Sequence, residues 1–237
     1  MDSGSRVITT VPFSRRRQAI ARRLTYSAQT IPHFYLATDV EMTEAIAWQE
    51  ATNAHLGLHI TVTDLVVKAA AEAMSVAPRL NGHVQEEAIT LYPEVNVGIA
   101  VALDDGLLVP VVPQVDALSL PAISDCARRN AAAARQGVLS PSPAATFTVS
   151  SLGMYGVTHF LPLINPPECA ILAVGAIIPR VLPKASEFVV QSVMTVTLAC
   201  DHRAVDGVEA ASFLQELRRL LESAPATLDA WLGSESE

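Results

Sequence analysis

Aromatic residues are scarce in this 237-residue chain, at 5%, and charged residues reach only 17%. Half the residues are hydrophobic, so the core must be built from Ala, Val, Leu and Ile. That balance excludes a disordered chain, whose low hydrophobicity could not offset the entropy of ordering. A basic excess is also missing. The formal net charge of -8 argues against a general nucleic-acid binder and against tight adhesion to an anionic membrane. The three cysteines, Cys126, Cys169 and Cys200, are odd in number, far apart and without a CxxC spacing. They suggest neither a disulfide framework nor a zinc site and fit a reducing, intracellular setting. No apolar run approaches the ~20 residues of a membrane span, and Met1 to Ser5 lacks a secretory pattern. A Gly-rich phosphate loop is absent, so nucleotide chemistry has no support.

What is present reads as interspersed helices and strands. Ser14 caps a helix over "RRRQAIARRLTYSAQ". Three arginines in its first turn oppose the helix dipole. Either they form a solvated basic face, or one is held by a buried carboxylate elsewhere. Phe34 to Val40 reads as a strand. Thr43 is expected to cap a helix reaching about His55, and Thr63 another that stops at Pro78. "VNVGIAVAL", Asp104-Asp105-Gly106 and "LLVPVV" form a hairpin signal, with Pro110 suggesting an edge or bulge. A long helix is expected from about Ser119 to Gly137. "ATFTVSS" reads as a strand ending in the turn "LGMYG". "ECAILAVGAI" and "VMTVTLAC" read as buried strands, and Asp206 opens the last helix. The pattern predicts an α/β (α+β mixed-sheet) fold, one mixed sheet with helices on one face. No linker divides the chain: 1–13 is expected to be a flexible leader, 14–232 one catalytic domain and 233–237 a loose acidic tail.

The segment "ACDHRAVDGVEAASF" concentrates Asp201, His202, Arg203 and Asp206 between an apolar strand and an amphipathic helix. Such groups at a strand end need partners, and His202 is the residue suited to moving a proton near neutral pH. The plainer readings are a satisfied core histidine, an ion-paired Arg203, and an Asp206 that caps its helix in a capping box with Glu209. Ser150 and Ser151 lie at a strand end without the glycines of a nucleophile elbow. A hydroxyl there could donate to a developing oxyanion, or simply bond nearby backbone. Among the other histidines, His55 and His59 are four apart but separated by Gly57, so a metal site is not expected. Cys200 reads as an inert core thiol.

"DHRAVDG" resembles the D-H-R-x-x-D-G signature of the dihydrolipoamide acyltransferases, the E2 cores of 2-oxo acid dehydrogenase complexes. "RRRQAIARRL", "QTIPHFYLATDVEM", "VNVGIAVALDDGLLVPVV", "TFTVSSLGMYG" and "LINPPECAILAVGAI" resemble the family's other blocks, in the family's order, from about Ser14 to Glu222. The resemblance implies a chloramphenicol-acetyltransferase-like fold, a homotrimer, and acyl transfer between the thiols of dihydrolipoamide and coenzyme A without a metal. It implies His202 as general base and Ser150 as oxyanion donor, Ser151 falling where many relatives have Asn. Asp206 supports the site. Arg203 is structural, and Arg17, at a family arginine position, has Asp206 as a conceivable partner. The site would lie between neighbouring subunits, with Ser150 and His202 supplied from opposite sides. Expected partners are a lipoyl group carried on a separate domain and the E1 and E3 components. No nucleic acid or membrane is expected, and the location is cytoplasmic or the mitochondrial matrix.

Members usually carry lipoyl and subunit-binding domains before this core; their absence here suggests a shortened chain or a stand-alone core. Members also end in an apolar anchor that joins trimers into a larger cubic or dodecahedral shell. Here Leu228, Trp231 and Leu232 precede an acidic end, so the trimer is expected ahead of the shell. Acetyl and branched-chain acyl groups both remain open. Succinyl is disfavoured, because relatives handling it tend to have Thr-Asn-Gly-Gly where Ser150-Ser151-Leu152-Gly153 stands. Two alternatives remain: an acyl-CoA-dependent O-acyltransferase of the same fold, and a non-catalytic scaffold core.

Overall fold

Apolar residues at alternate or continuous positions must find a sheet, and the chain's longest such runs pair with each other. In the computed structural model, which describes residues 9–138, 141–184, 187–223 and 225–233, strands β9 (Ala170–Lys184) and β10 (Glu187–Asp201) form one long antiparallel hairpin. This is longer than the two buried strands expected, because the pairing continues outward through the largely exposed residues Val181 to Lys184 and Glu187 to Val190. The other strands of the main sheet are β1 (His33–Glu41), β4 (Val97–Ile99), β7 (Val111–Val112) and β8 (Phe147–Ser151). Its order is β1-β10-β9-β8-β4-β7. The β4-β8 and β8-β9 pairs are parallel and the others antiparallel. The sheet is therefore mixed, as the element pattern predicts.

The apolar run from Val95 to Leu103 does not stay in one strand. It leaves the main sheet at Ala100, and β5 (Val101–Leu103) pairs with β6 (Gly106–Leu108) in a separate hairpin. Gly106 has φ 123°, and a Cβ there would lie 2.7 Å from Ile20 Cδ1, so only glycine suits the turn. Pro110 precedes β7, an edge strand, which is where the ladder tolerates a proline. A further hairpin joins β2 (Gly82–Val84) to β3 (Ile89–Leu91).

Helices α2 (Thr43–Leu56), α3 (Val62–Ala73), α4 (Leu120–Arg135), α5 (Gly207–Leu221) and α6 (Pro225–Ala230) cover one face of the main sheet. Aliphatic residues fill the space between, around Phe147 and Phe213, whose ring centroids are 5.8 Å apart. Leu228 and Trp231 are buried in this same core, held by Trp48 Nε1 donating to Asp229 Oδ1. The opposite face is covered by a smaller cluster of Ile31, Ile164, Ile171 and Ala199, beneath the end of α1 (Arg15–Thr30). Helices thus flank the sheet, α1 standing on the face opposite the helices that the element pattern predicts.

Two helix caps differ from the sequence reading. Thr43 lies inside α2, after Met42 at the cap position. Its hydroxyl instead donates to Gln191 Oε1 and accepts from Ser192 N, tying the helix to β10. For α3 the cap is Thr61, not Thr63: Thr61 and Asp64 form a reciprocal capping box. That helix ends at Ala73 and relaxes into a 3-10 turn, Met74–Val76, before Pro78. Ser14 does cap α1, accepting from Arg17 N. Most of the leader (1–8) and the acidic tail (234–237) lie outside the described residues.

Candidate active site

The antiparallel pairing of β1 with β10 runs out at His33 opposite Asp201, and the next residue is His202. Its backbone N–H donates to Pro32 O at 3.0 Å. Its ring lies against Phe34, with centroids 4.5 Å apart and planes tilted 43°. The side chain is exposed, free to meet a substrate, which is not the surroundings of a satisfied core histidine. The flanking residues do the anchoring. Asp201, fully buried, accepts from Arg203 Nε, Nη2 and backbone N at 2.6 to 3.1 Å. A buried carboxylate paired in this way can sit at a strand end, and it fixes the turn that presents His202. The Asp201 pairing also raises the Arg203 pKa above its ordinary value.

Asp206 caps α5, its Oδ1 accepting from Val208 N and Glu209 N at 3.1 Å each. The expected capping box is not completed. Glu209 turns away, accepts from Arg79 N and pairs with its guanidinium. The conceivable Arg17–Asp206 pair is also absent: Arg17 makes no ion pair among the described residues, and the Asp206 carboxylate serves the orphan N–H groups of α5. The arginine of α1 that reaches toward a buried acid is Arg23. Its Nε donates to Asn165 Oδ1 at 2.7 Å, and Asn165 Nδ2 donates to Glu168 Oε1 at 2.7 Å.

Ser150 sits in β8, between β4 and β9. Val149 faces the helix-covered core, so alternation turns Ser150 and Thr148 to the other face. The Ser150 hydroxyl makes no hydrogen bond among the described residues, unlike a serine that finishes a strand on its own backbone. Within one chain it is far from His202. Ser150 pairs with Ala173, and Ala173 with Thr197, five residues before His202. Two strand spacings and that rise place the two residues roughly 19 Å apart. The structure brings His202, Arg203 and Asp206 together at one turn and leaves Ser150 apart.

Sequence reading missed Glu168. It is 2% exposed, accepts from Thr148 Oγ1 at 2.6 Å and from Asn165, and lies on a cavity of about 240 Å³ that Tyr26, Pro166, Asp201 and Arg203 also line. Burial pushes its carboxyl up to about 7, against the Thr148 and Asn165 hydrogen bonds and the Arg23 charge. The folded state therefore holds this proton more tightly than the unfolded chain. The resulting stability is present at low pH and falls as pH rises from about 4.5 toward 7. The loss is roughly 3 kcal/mol. Glu168→Gln is expected to remove this fall, so urea denaturation should find the wild type weaker than the variant at pH 8 by more than at pH 5. Equal differences at both values would contradict this assignment. Cys200 is fully buried and its thiol is raised by burial, while Cys169 is pushed up to about 12, again chiefly by burial. Both thiols are inert. His55 and His59 share no helix face, since α2 ends at Leu56 before the left-handed Gly57.

The model of the 2-oxoacid dehydrogenases acyltransferase catalytic domain matches residues 5–229. Acetyltransferase component 3 of the Arabidopsis thaliana mitochondrial pyruvate dehydrogenase complex is 39% identical over 92% of this chain. The corresponding component of Rickettsia bellii is 34% identical over 90%. This chain spans 42% of the first and 52% of the second. Among solved structures, Azotobacter vinelandii dihydrolipoamide acetyltransferase superposes with a TM-score of 0.89 at 33% identity, covering 95% of this chain and 96% of that one. It comes from an investigation of a serine, a histidine and an asparagine in that enzyme's catalytic mechanism. A chloramphenicol acetyltransferase superposes with a TM-score of 0.54 at 12% identity, covering 88% of this chain and 95% of that one, a likeness of fold alone.

Proposed function

The chain belongs to the family of 2-oxoacid dehydrogenase acyltransferase catalytic domains, and on that premise we propose that it moves an acetyl group between the thiols of dihydrolipoamide and coenzyme A, as the core of a pyruvate dehydrogenase complex. The observation that carries this reading is the exposed His202, held by its backbone and neighbours while its ring stays available. The serine, histidine and asparagine investigated in the Azotobacter enzyme have the chain spacing of Ser150, His202 and Asp206. The acetyl group is favoured because the relatives named above are acetyltransferase components.

In this mechanism the His202 imidazole takes the proton from the coenzyme A thiol as its sulfur attacks the thioester carbonyl of acetyl-dihydrolipoamide. A thiol of pKa near 8.5 is mostly protonated at neutral pH, so the attack needs a base placed to take its proton. The carbonyl oxygen gains negative charge, and the Ser150 hydroxyl donates to it. Collapse expels the dihydrolipoamide sulfur, which takes the proton back from His202. The thioester is already activated. Asp206 caps α5 and so holds the turn that carries His202.

Because Ser150 and His202 of one chain are so far apart, we infer that each site joins His202 of one subunit to Ser150 of its neighbour in a trimer. A lipoyl group on a separate domain, with the E1 and E3 components, would complete the cycle. The test is acyl transfer to dihydrolipoamide from acetyl-CoA, isobutyryl-CoA and succinyl-CoA, with chloramphenicol as a parallel acceptor. Acetyl-CoA is expected to give the highest kcat/KM. Isobutyryl-CoA in first place would replace the acetyl assignment with a branched-chain one. Transfer only to chloramphenicol, or no turnover by trimeric protein, would overturn the reading.

A further inference from the structure

We propose that His33 is a positioning residue for His202, acting through the Ile31–Pro32–His33 turn; the inference rests on the proposed role of His202. His33 opens β1 and is half-buried. Its Nδ1 lies 2.9 Å from Ile31 O, and its Nε2 lies 3.0 Å from Ile164 N. A carbonyl oxygen only accepts and a backbone N–H only donates. The ring is therefore the neutral tautomer with its proton on Nδ1, donating to Ile31 and accepting from Ile164. The backbone N–H of His33 donates to the same Ile31 O at 2.9 Å. Two donors from one residue thus close a three-residue turn with Pro32 at its centre.

That turn is what holds His202. The Pro32 carbonyl takes the His202 N–H at 3.0 Å, and Phe34, the residue after His33, supplies the ring against the imidazole. His33 also bridges this segment to Ile164, a fully buried residue on the same face of the sheet. The His202 side chain itself makes no hydrogen bond among the described residues, so its aim depends on the backbone that carries it. A general base must stay within a fraction of an ångström of its productive place. The Nδ1–H bond is accepted by Ile31 O, so it tightens the turn on which the Pro32 carbonyl sits. The Nε2 bond to Ile164 only ties down the outside of the turn.

The two bonds can be separated. The amide of asparagine reaches the place of Nδ1 and keeps a donor for Ile31. The amide of glutamine reaches the place of Nε2 and keeps an acceptor for Ile164. Acetyl transfer from acetyl-CoA to dihydrolipoamide would be measured for wild type, His33→Asn, His33→Gln and His33→Ala, each checked for trimer formation and Tm. His33→Gln and His33→Ala are expected to lower kcat by about tenfold or more, with KM nearly unchanged. His33→Asn is expected to keep kcat within about threefold of wild type. Equal kcat in the Asn and Gln variants, or KM moving as far as kcat, would overturn the proposal. Amide hydrogen exchange at His202 gives a readout independent of turnover. Protection should be lost in His33→Gln and kept in His33→Asn, and the same protection in both would overturn the proposal. Should wild type itself show no acyl transfer, the proposed function fails, and the exchange comparison still decides whether His33 holds His202.

Discussion

Replacing His202 by alanine is expected to lower kcat for acetyl transfer by about 10²- to 10⁴-fold, the range a positioned general base supplies. KM for acetyl-CoA should change little, because the proton moves in the transition state rather than in the bound ground state. The fold should survive. The His202 side chain is exposed, and the bond that ties the residue to β1 is made by its backbone N–H to Pro32, which alanine retains. The Asp201–Arg203 pair that shapes the turn does not involve the imidazole. A His202→Ala variant that keeps most of its activity would remove the general base from the account.

The second large effect is expected at Ser150. On the proposed mechanism Ser150→Ala removes a single donor from the oxyanion and should lower kcat by about 10²- to 10³-fold. The cost in stability should be small. The hydroxyl satisfies no buried partner among the described residues, and the strand register of β8 against β4 and β9 is set by backbone pairs that alanine keeps. Ser151→Ala serves as the matched control, since Ser151 points to the opposite face of the strand from Ser150 and should alter kcat by less than about threefold. Equal losses at both serines would mean that strand packing, not a donated hydrogen bond, is being measured.

Which features were legible in the sequence follows from how local their causes are. Ser14 and Asp206 cap helices because a side-chain oxygen beside free N–H groups is a local matter, and both are readable from neighbouring residues. Thr61 is readable too: "TVTD" contains a capping box whose partners, Thr61 and Asp64, stand three residues apart, although Thr63 lies nearer the apolar run. Thr43 could not be placed correctly from its neighbours, because its partners lie in β10. His202 and Ser150 stood out as polar residues at the ends of apolar strands. The separation between them was implied by the family resemblance alone and not by the residue pattern, since it depends on how three strands register. Glu168 and His33 were passed over for the same reason. "NPPE" looks like a loop, and its acid is buried only because Thr148, Asn165 and the sheet close around it. The partners of His33 are two backbone groups, Ile31 O and Ile164 N, which no residue pattern advertises. The arginine-rich start of α1 shows the limit of charge reading: among the described residues none of its three arginines pairs with a buried carboxylate, and Arg23, further along the helix, reaches the neighbourhood of Glu168 only through Asn165.

The claim at the centre of this account is that one subunit's His202 works with its neighbour's Ser150, and mixed trimers test it most directly. His202→Ala and Ser150→Ala chains, each nearly inactive alone, would be unfolded together in equal amounts and refolded. In a three-fold ring with a site at each junction, every mixed trimer contains one junction where an intact His202 meets an intact Ser150. Activity should return to about a quarter of wild type, the share of such junctions in a random mixture. No recovery from trimers shown to contain both chains would mean that each chain supplies its own pair or that the pair does not act together, and would contradict the account.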